Sequence, residues 1–285
     1  MIKKIFATAL AFTGLLQAET PKEDFSSFVP PVSNPVYFES ALHTTELRAI
    51  YLYQDLHNQI PTVLGNVKLG GDLQMGALQI RYAVNDRLSI IATKDGYAKI
   101  NYNNTLVNKS GFADLALGIK YSPYMDVDSQ SIITTGLRLE IATGDEDIMQ
   151  GNHNGVANPF VSFAKGFDDF HILGYQGLQV PLSDDSSLES HTSLHIDYQI
   201  GNFYPLIEAN WRHTLKGGEG GNASVDIKGI GAVPTNVVNN TISGADITNL
   251  GSKGSSGNNL LSYAIGFRYK FTDNIIAGAS YETEV

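Results

Sequence analysis

The most constraining feature of this chain is a row of large apolar residues near its end, spaced two apart. Its members are Leu261, Tyr263, Ile265, Phe267, Tyr269 and Phe271. The residues between them are small or charged, and include Arg268 and Lys270. Because successive side chains of a strand point to opposite faces, one face is apolar and the other carries two cations. The pattern predicts a strand with hydrocarbon on one side and water or polar groups on the other.

The first 18 residues have the features of a secretory signal peptide. Lys3 and Lys4 give a short basic start, an uncharged run from Ile5 to Leu16 follows, and the small Ala18 precedes the expected cleavage site. This run is shorter than the ~20 apolar residues that a spanning helix needs, and no later stretch reaches that length. We predict that residues 1–18 are a signal peptide, that the protein is exported, and that strands make any membrane crossing.

Composition argues against several other functions. The chain has no cysteine, so disulfides, thiol catalysis and cysteine metal sites are excluded. Its formal net charge of −10 argues against a nucleic-acid partner, which needs a basic face. The acidic runs at 145–147, 168–169 and 184–185 are typical of solvated turns. We expect no cofactor.

Eleven segments after the leader have strand patterns, and their connections alternate between short and long. The segments are 45–57, 66–84, 86–96, 111–122, 130–143, 158–167, 170–182, 189–200, 203–214, 258–272 and 275–283. Short turns at one end and long loops at the other are the layout of an outer-membrane barrel, with its turns in the periplasm. A soluble sandwich has the same period-two rows, but gives no reason for that alternation. We therefore predict an all-β fold, a transmembrane antiparallel up-and-down β-barrel spanning 44–285.

The number of strands and two further segments need separate interpretation. Bacterial single-chain barrels have an even number of strands, so we expect about twelve, with the closing C-terminal strand missing after Val285 or an early strand miscounted. Residues 19–43 contain four prolines, which are unfavourable in a central strand; they form a periplasmic tail, which we favour, or a plug in the lumen. Loop 215–257, rich in Gly, Asn and Ser, is predicted to be extracellular, and we favour a mobile surface loop over a folded lid.

The polar residues of the alternating strands are predicted to face the lumen and carry both signs. They are Asp114, Lys120, Arg138, Glu140, His195, Asp197, Glu208, Arg212, Arg268 and Lys270. One interpretation is a polar pathway that selects a solute. The other is a web of ion pairs that fills a narrow barrel, since a barrel of about twelve strands is smaller than the open porins.

The aromatic residues in the opposite phase are predicted to face lipid and the two interfaces of the membrane. They are Tyr121, Tyr198, Phe203, Trp211, Tyr263, Phe267, Tyr269 and Phe271. Aromatic girdles of this kind flank the apolar band of outer-membrane barrels. An aromatic path for a ligand is the alternative.

Enzymatic and metal-binding interpretations receive little support. His191, Ser193, His195 and Asp197 are the residue types of a hydrolase, but neighbours two apart on a strand face are about 7 Å apart, and no nucleophile elbow is present. The run 145–147 with Asn152, His153 and Asn154 could bind calcium through oxygen ligands, but lacks the spacing of a known calcium loop. We predict that the protein is not an enzyme and has no metal site.

Several short motifs resemble those of a family of outer-membrane proteins. They are the run from Gly111 to Tyr121, Pro35 to Phe38 with Thr44 to Arg48, Ala92 to Tyr97, and Ala277 to Thr283. In these the chain resembles an uncharacterised subgroup of the transporter-like β-barrels related to the phenol meta-pathway proteins. The resemblance implies a barrel of about twelve strands that passes small, often aromatic or apolar, molecules, and it implies no catalytic residues.

These observations together predict a passive channel or transporter for small molecules in the cell outer membrane. The expected partners are outer-membrane lipid, lipopolysaccharide and a small-molecule solute, while the oligomeric state stays open. The alternative is a non-conducting barrel that acts through its extracellular loops in adhesion, recognition or envelope structure. A barrel by itself supports membrane insertion more than it supports transport, because fold does not give function.

Overall fold

The structure, a computed structural model, describes residues 8–19, 25–62, 65–151, 154–219, 224–234 and 255–285. Twelve antiparallel strands form a closed ring in which each strand pairs with two neighbours. In chain order they are β1 Thr8–Glu19, β2 Thr45–Asp55, β3 Gly71–Asn85, β4 Leu88–Lys94, β5 Leu115–Asp126, β6 Ser131–Ile141, β7 Val156–Phe167, β8 Phe170–Pro181, β9 Leu188–Tyr198, β10 Phe203–Lys216, β11 Asn259–Thr272 and β12 Ile275–Glu284. The predicted antiparallel barrel is confirmed.

The period-two rows of the sequence decide which way the side chains point. In β11, Tyr263 and Ile265 are exposed on the outside, whereas Ser262 and Ala264, which alternate with them, are buried. The outer surface is therefore apolar, and the polar residues of the same strands lie inside. Among the described residues, no helix has the length and hydropathy to cross a membrane.

The connections differ in length at the two ends of the barrel, as predicted. At one end β3–β4, β7–β8 and β11–β12 are joined by two residues each. At the other end the loops are longer, and those that follow β2, β4 and β10 contain short hairpins that the sequence did not indicate: Gln59–Thr62 with Gly65–Lys68, Tyr97–Tyr102 with Lys109–Phe112, and Ser224–Ile227 with Gly231–Pro234. We call these the short-turn end and the long-loop end; in an outer-membrane barrel they face the periplasm and the outside of the cell.

Two predicted strands differ from the structure around β3. One end of β3 pairs with β4, and the other pairs with the hairpin strand Tyr97–Tyr102. β3 begins at Gly71 rather than at 66 because Gly65–Lys68 belongs to the hairpin with Gln59–Thr62, and β4 stops at Lys94, near where the pairing of β3 changes. The two ends of β3 therefore lie in different environments along the barrel. The alternation of apolar and polar residues is weaker in β3 than in β11 for that reason.

The ring closes through a strand that we did not predict. β1 lies between β12 and β2, in antiparallel register with both, and it runs in the direction expected for the closing strand. We expected that strand to be missing after Val285, but Thr8–Glu19 occupies its position. A short apolar run satisfies both a signal peptide and a strand, and periodicity alone cannot separate the two. Cleavage after Ala18 would remove nearly all of β1, so the signal-peptide prediction and this closure use the same residues.

Residues 25–44, which we call the plug, lie inside the barrel. They enter at the short-turn end, where the Lys270 ammonium donates to the carbonyl of Ser26, rise until Tyr37 stacks on His191, and return to the start of β2. Phe38 and Leu42 pack against inward residues of the wall, among them Ile91, in the apolar core of the molecule. The structure thus shows a plug where we had favoured a periplasmic tail, because the wall offers donors and apolar surface to this proline-rich segment. Residues 20–24 lie outside the described part of the chain.

Candidate functional site

The inner wall contains all ten residues that were predicted to face the lumen. Arg212 and Lys270 are half-buried. The other eight are at most 3% exposed: Asp114, Lys120, Arg138, Glu140, His195, Asp197, Glu208 and Arg268. Buried charges of this kind require partners, since an unpaired charge in a low-dielectric site is costly. A role in a pathway stays a prediction for each of them.

The plug is bound to the wall through the carboxylate of Glu39. The Arg81 guanidinium donates to both of its oxygens, with Nη2–Oε2 at 2.7 Å, and the Lys120 ammonium lies 2.7 Å from Oε1. Lys120 also donates to the carbonyls of Ser40 and Leu42 at 2.9 and 2.6 Å. Burial alone would raise the pKa of Glu39, but Arg81 and Lys120 hold it below its usual range. Glu39 is therefore a charged anchor of the plug.

Backbone carbonyls of the proline-rich part provide a second set of contacts. Arg268 donates from Nε to the carbonyl of Pro30 at 3.0 Å, and from Nη2 to that of Pro31. Gln79 donates to the carbonyl of Pro35 at 2.9 Å. Proline has an acceptor but no N–H donor, so a run containing three prolines suits a wall rich in donors. Arginine, with five donors, serves this purpose best.

A carboxylate of the wall binds the two N–H groups that follow Pro31. Glu208 accepts from Val32 N at 2.8 Å and from Ser33 N at 2.6 Å. His195 Nδ1 lies 2.6 Å from Glu208 Oε1, and its Nε2 lies 2.9 Å from Asp197 Oδ2. Three inward residues predicted from the sequence thus form one hydrogen-bonded row against the plug.

Tyr37 of the plug contacts three side chains of the wall, those of His191, Arg138 and Gln179. Its ring stacks on His191 with centroids 4.0 Å apart, and the Arg138 guanidinium lies 5.3 Å from the ring centroid. The hydroxyl donates to Gln179 Oε1 at 2.6 Å. Arg138 also donates to the carbonyl of Val36, so the same cation contacts backbone and ring.

The residues considered for a hydrolase do not assemble one. The Ser193 hydroxyl donates to Asn210 Oδ1 at 2.7 Å, while both ring nitrogens of His195 face carboxylates. A nucleophilic serine needs a base within hydrogen-bond reach, and His195 is engaged elsewhere. Among the described residues no group of His, Asp and Glu could hold a metal ion. Asn152 and His153, which were considered for calcium, lie outside the described part.

The eight predicted lipid-facing aromatic residues have outward, exposed side chains, with between 38% and 61% of their surface accessible: Tyr121, Tyr198, Phe203, Trp211, Tyr263, Phe267, Tyr269 and Phe271. They stand among many exposed aliphatic residues, such as Ile207 and Ile265. An apolar band around a closed, polar-lined barrel is stable in lipid and not in water. The protein is accordingly a β-barrel of the outer membrane.

At the long-loop end, charged pairs join separate loops. Lys109 lies 2.6 Å from Asp147 and 2.5 Å from Asp226, which belongs to the hairpin Ser224–Ile227 with Gly231–Pro234. Its hydrogen bonds to Asp147 and Asp226 raise the pKa of Lys109. Loop 215–257 therefore contains a hairpin that is bound to its neighbours. Residues 220–223 and 235–254 of this loop lie outside the residues that the structure describes.

Four buried charged residues were not predicted to face the lumen. One, Glu39, belongs to the plug, and three belong to the wall around it: Glu46, Arg48 and Arg81. The signal was present for three of them, because Glu46 and Arg48 alternate with Leu47 and Ala49, and Arg81 stands between Ile80 and Tyr82. For Glu39 no strand periodicity exists, since it belongs to the plug. Its role follows only from the contacts with Arg81 and Lys120.

Comparison with known proteins finds similar barrels at very low sequence identity. The sequence matches no family model and no curated protein. Among solved structures, an outer membrane channel from Pseudomonas putida F1 has a TM-score of 0.46 at 9% identity, covering 100% of this chain and 96% of that chain. The KdgM porin has 0.32 at 7% identity, covering 97% and 98%, and the outer membrane protein opdK from Pseudomonas aeruginosa has 0.30 at 9%, covering 98% of each. At such identity neither the solute nor the mechanism of those proteins carries over to this chain.

Proposed function

We propose that the protein is an outer-membrane channel or transporter for small molecules, and that the plug closes it in this structure. The observation that supports this most is the kind of contact between plug and wall. All backbone–backbone hydrogen bonds of the described plug residues, such as Phe38 N to Asn34 O at 2.9 Å, stay within the plug. The hydrogen bonds from the wall to the described plug residues come from wall side chains, such as Glu208, Arg268 and Lys120.

A segment bound in this way can leave without disturbing the barrel. Each strand of the ring already has its ladder partners on both sides, so removal of the plug breaks no ladder hydrogen bond. The groups left behind, such as Arg81, Lys120 and Arg268, are then solvated by water that enters the lumen.

The solute class that we infer is small molecules with an apolar or aromatic part. The resemblance to transporter-like barrels supports it, as does the apolar surface that Phe28, Leu42 and Tyr204 contribute at the short-turn end. The lumen of twelve strands is narrower than that of the open porins, which favours small solutes. The mixed charges of the wall predict weak ion selectivity.

Planar-bilayer recording tests this function. We expect rare openings of the unmodified protein and a stable conductance when residues 26–43 are replaced by a short Gly/Ser linker. The chain has no cysteine, so Ser33→Cys with Asn210→Cys, whose native side chains share a 2.9 Å hydrogen bond, can lock the plug by oxidation to a disulfide or with a short bis-methanethiosulfonate crosslinker, which reduction also cleaves. Locking should abolish the openings, and reduction should restore them.

The single variants Ser33→Cys and Asn210→Cys are the controls, because neither can form the lock. The solute class is tested by adding solutes to the bilayer chamber. A current that falls more with a small aromatic solute than with a sugar of similar size would support the inferred class of solutes. If the plug-deleted barrel stays electrically silent, the channel proposal fails and a role of the extracellular loops takes its place. If oxidation leaves the openings unchanged, the plug is not the closing element.

A further inference from the structure

The last part of the plug, from Glu39 to His43, is bound to the wall as one unit. Lys120 donates to two of its backbone carbonyls, at 2.9 and 2.6 Å, and Thr134 donates to a third at 2.6 Å. His43 ends this unit, two residues before β2 begins. A change at His43 therefore acts at the point where the plug joins the barrel.

The ring of His43 lies between two serine hydroxyls of the wall. Its Nδ1 is 2.7 Å from Ser89 Oγ of β4, and its Nε2 is 2.7 Å from Ser122 Oγ of β5. His43 is 8% exposed, and both serines are fully buried. Both ring nitrogens therefore depend on these two hydroxyls for their hydrogen bonds.

The hydrogen-bond network around the ring fixes its tautomer. A carbonyl can only accept, so the Thr134 hydroxyl gives its one proton to the carbonyl of Ala41. The Ser122 hydroxyl, 2.6 Å from Thr134 Oγ1, then donates to Thr134 and accepts from the Nε2–H of His43. Nδ1 is left with its lone pair and accepts from the Ser89 hydroxyl. The site therefore selects the neutral imidazole.

A second proton on His43 is unfavourable in this position. A proton on Nδ1 would point at the hydrogen of the Ser89 hydroxyl, which would have to turn away. Among the residues that the structure describes, that hydroxyl has no other hydrogen-bond partner to turn to. An imidazolium would therefore lose one of the two hydrogen bonds that hold the neutral ring.

The charged groups around the ring carry both signs. They are Glu39 of the plug, Lys120 of β5, and Asp86 and Arg87 of the turn between β3 and β4, where Arg87 donates to the carbonyl of Ser122 at 3.1 Å. Burial and the Lys120 ammonium lower the pKa of His43 to about 3, although Glu39 and Asp86 act in the opposite direction. Once the plug leaves the wall, His43 regains the ordinary histidine pKa of about 6.5. The two positions of the plug thus differ in their affinity for one proton.

We propose that His43 is a proton sensor of the plug: the neutral ring holds the plug in the lumen, and protonation of the ring releases it. This inference rests on the proposed role of the plug as the closing element. The stabilisation of the closed state is complete above pH ~6.5 and is lost as the pH falls, because only the released ring takes up the proton readily. The ratio of closed to open protein should fall by up to about tenfold per pH unit below that value.

The position of the plug can be measured without conductance. The full protein in detergent micelles receives two nitroxide labels, at Ser26→Cys in the plug and Asp169→Cys in the turn between β7 and β8. Both residues are exposed at the short-turn end, and the chain has no other cysteine. Pulsed EPR should give one narrow distance distribution at about pH 7.5. At about pH 5 a broad second component should appear, with a released-to-closed ratio up to about thirtyfold larger.

Two variants move the response in opposite directions. His43→Gln keeps a donor and an acceptor but does not titrate, so its plug should remain closed at both pH values. Ser89→Ala removes the donor to Nδ1, so release should shift towards neutral pH by up to about one unit. His213→Gln is the control, because His213 is an exposed histidine bound to Asn259, away from the plug. It should respond to pH as the unmodified protein does.

The outcomes separate the sensor from the channel. Equal release by the unmodified protein and His43→Gln at pH ~5, no release by the unmodified protein, or a shift of Ser89→Ala towards acid pH would each overturn the sensor. Release at pH ~5 without a rise in open probability would leave the sensor in place and contradict the proposed channel. A rise in open probability that persists in His43→Gln would contradict the sensor alone.

Discussion

The two halves of the lumen contain the same residue types but use them differently. In the short-turn half the cations of the wall bind the plug: Arg81 and Lys120 bind Glu39, and Arg268 binds the carbonyls of Pro30 and Pro31. In the long-loop half Arg138 contacts Val36 and Tyr37 of the plug, but most charges of the wall bind one another or the loops. The pairs there are Lys94 with Glu140 and Arg212 with Glu189, and Asp114 accepts from the backbone of Thr143, Gly144 and Gly151.

The difference shows that a buried charge in a barrel can serve two purposes. Wall-to-wall pairs hold neighbouring strands and loops together, and they persist whether the lumen is open or closed. In the proposed gating, wall-to-plug contacts exist only in the closed state and therefore set the equilibrium between the closed and the open state. Substitutions matched for charge and burial in the two halves should therefore affect opening in one half and not in the other.

The largest effect is expected for Glu39→Gln. The change leaves Arg81 and Lys120 without their shared carboxylate, and breaking a buried ion pair costs about 3–5 kcal/mol. Openings in planar bilayers should become frequent, and amide hydrogen exchange of residues 25–44 should become faster. Glu140→Gln is the control, since Glu140 is equally buried and pairs with Lys94 of the wall. Similar opening in both variants would remove the distinction between the two halves.

Arg268→Gln should have the next largest effect. It removes the donors that contact Pro30 and Pro31, and hydrogen bonds from a charged group contribute about 1.5–3 kcal/mol each. The open probability in planar bilayers should rise. The thermal unfolding midpoint of the detergent-solubilised barrel should change little. Arg212→Gln, in the other half, should leave the open probability as it is. A lower thermal midpoint in Arg268→Gln at unchanged open probability would contradict the assignment.

A smaller effect is expected for Tyr37→Phe. The change removes one hydrogen bond, from the Tyr37 hydroxyl to Gln179, and keeps the stacking on His191, so the closed state should lose about 1 kcal/mol. Dwell times of the closed state should shorten severalfold. Tyr53→Phe removes a hydroxyl outside the lumen, 3.2 Å from Asp55, and serves as the comparison. Equal dwell times in the two variants would show that Tyr37 does not hold the plug.

The smallest effect is expected for Asp147→Asn at the long-loop end. Exposed ion pairs contribute little to stability, and Lys109 keeps Asp226 as a partner. Thermal unfolding and conductance should both stay within experimental scatter. A change in open probability would indicate that the loops, and not only the plug, control the lumen.

The strands were predictable because lipid and lumen impose a strict alternation. In β11 the row from Leu261 to Phe271 identifies the outer face, and Arg268 the inner one, from sequence alone. The inward position of Lys120, Glu208 and His195 follows in the same way. Strand ends agree within a few residues, except where β3 changes partners.

The partners of those residues were not predictable. Periodicity shows which face of a strand a side chain occupies, but it does not show which segment enters the lumen. The contact of Glu208 with Val32 and Ser33 could therefore not be predicted. The segment 19–43 has no periodicity, and its prolines exclude a strand without indicating a plug. β1 was missed because an apolar run of this length fits export as well as pairing. Mass spectrometry of the protein purified from membranes, which locates its first residue, decides whether Thr8–Glu19 or another strand fills the position between β12 and β2.

The plug is continuous with the barrel at Thr44, the residue before β2. A plug that leaves the lumen therefore remains tethered within a short chain length of its site. Tethering over such a distance gives an effective concentration on the order of millimolar. Reclosure is then a first-order event whose rate is independent of the amount of protein in the membrane, and a free peptide with the sequence of residues 25–44 would have to reach comparable concentrations to compete with it.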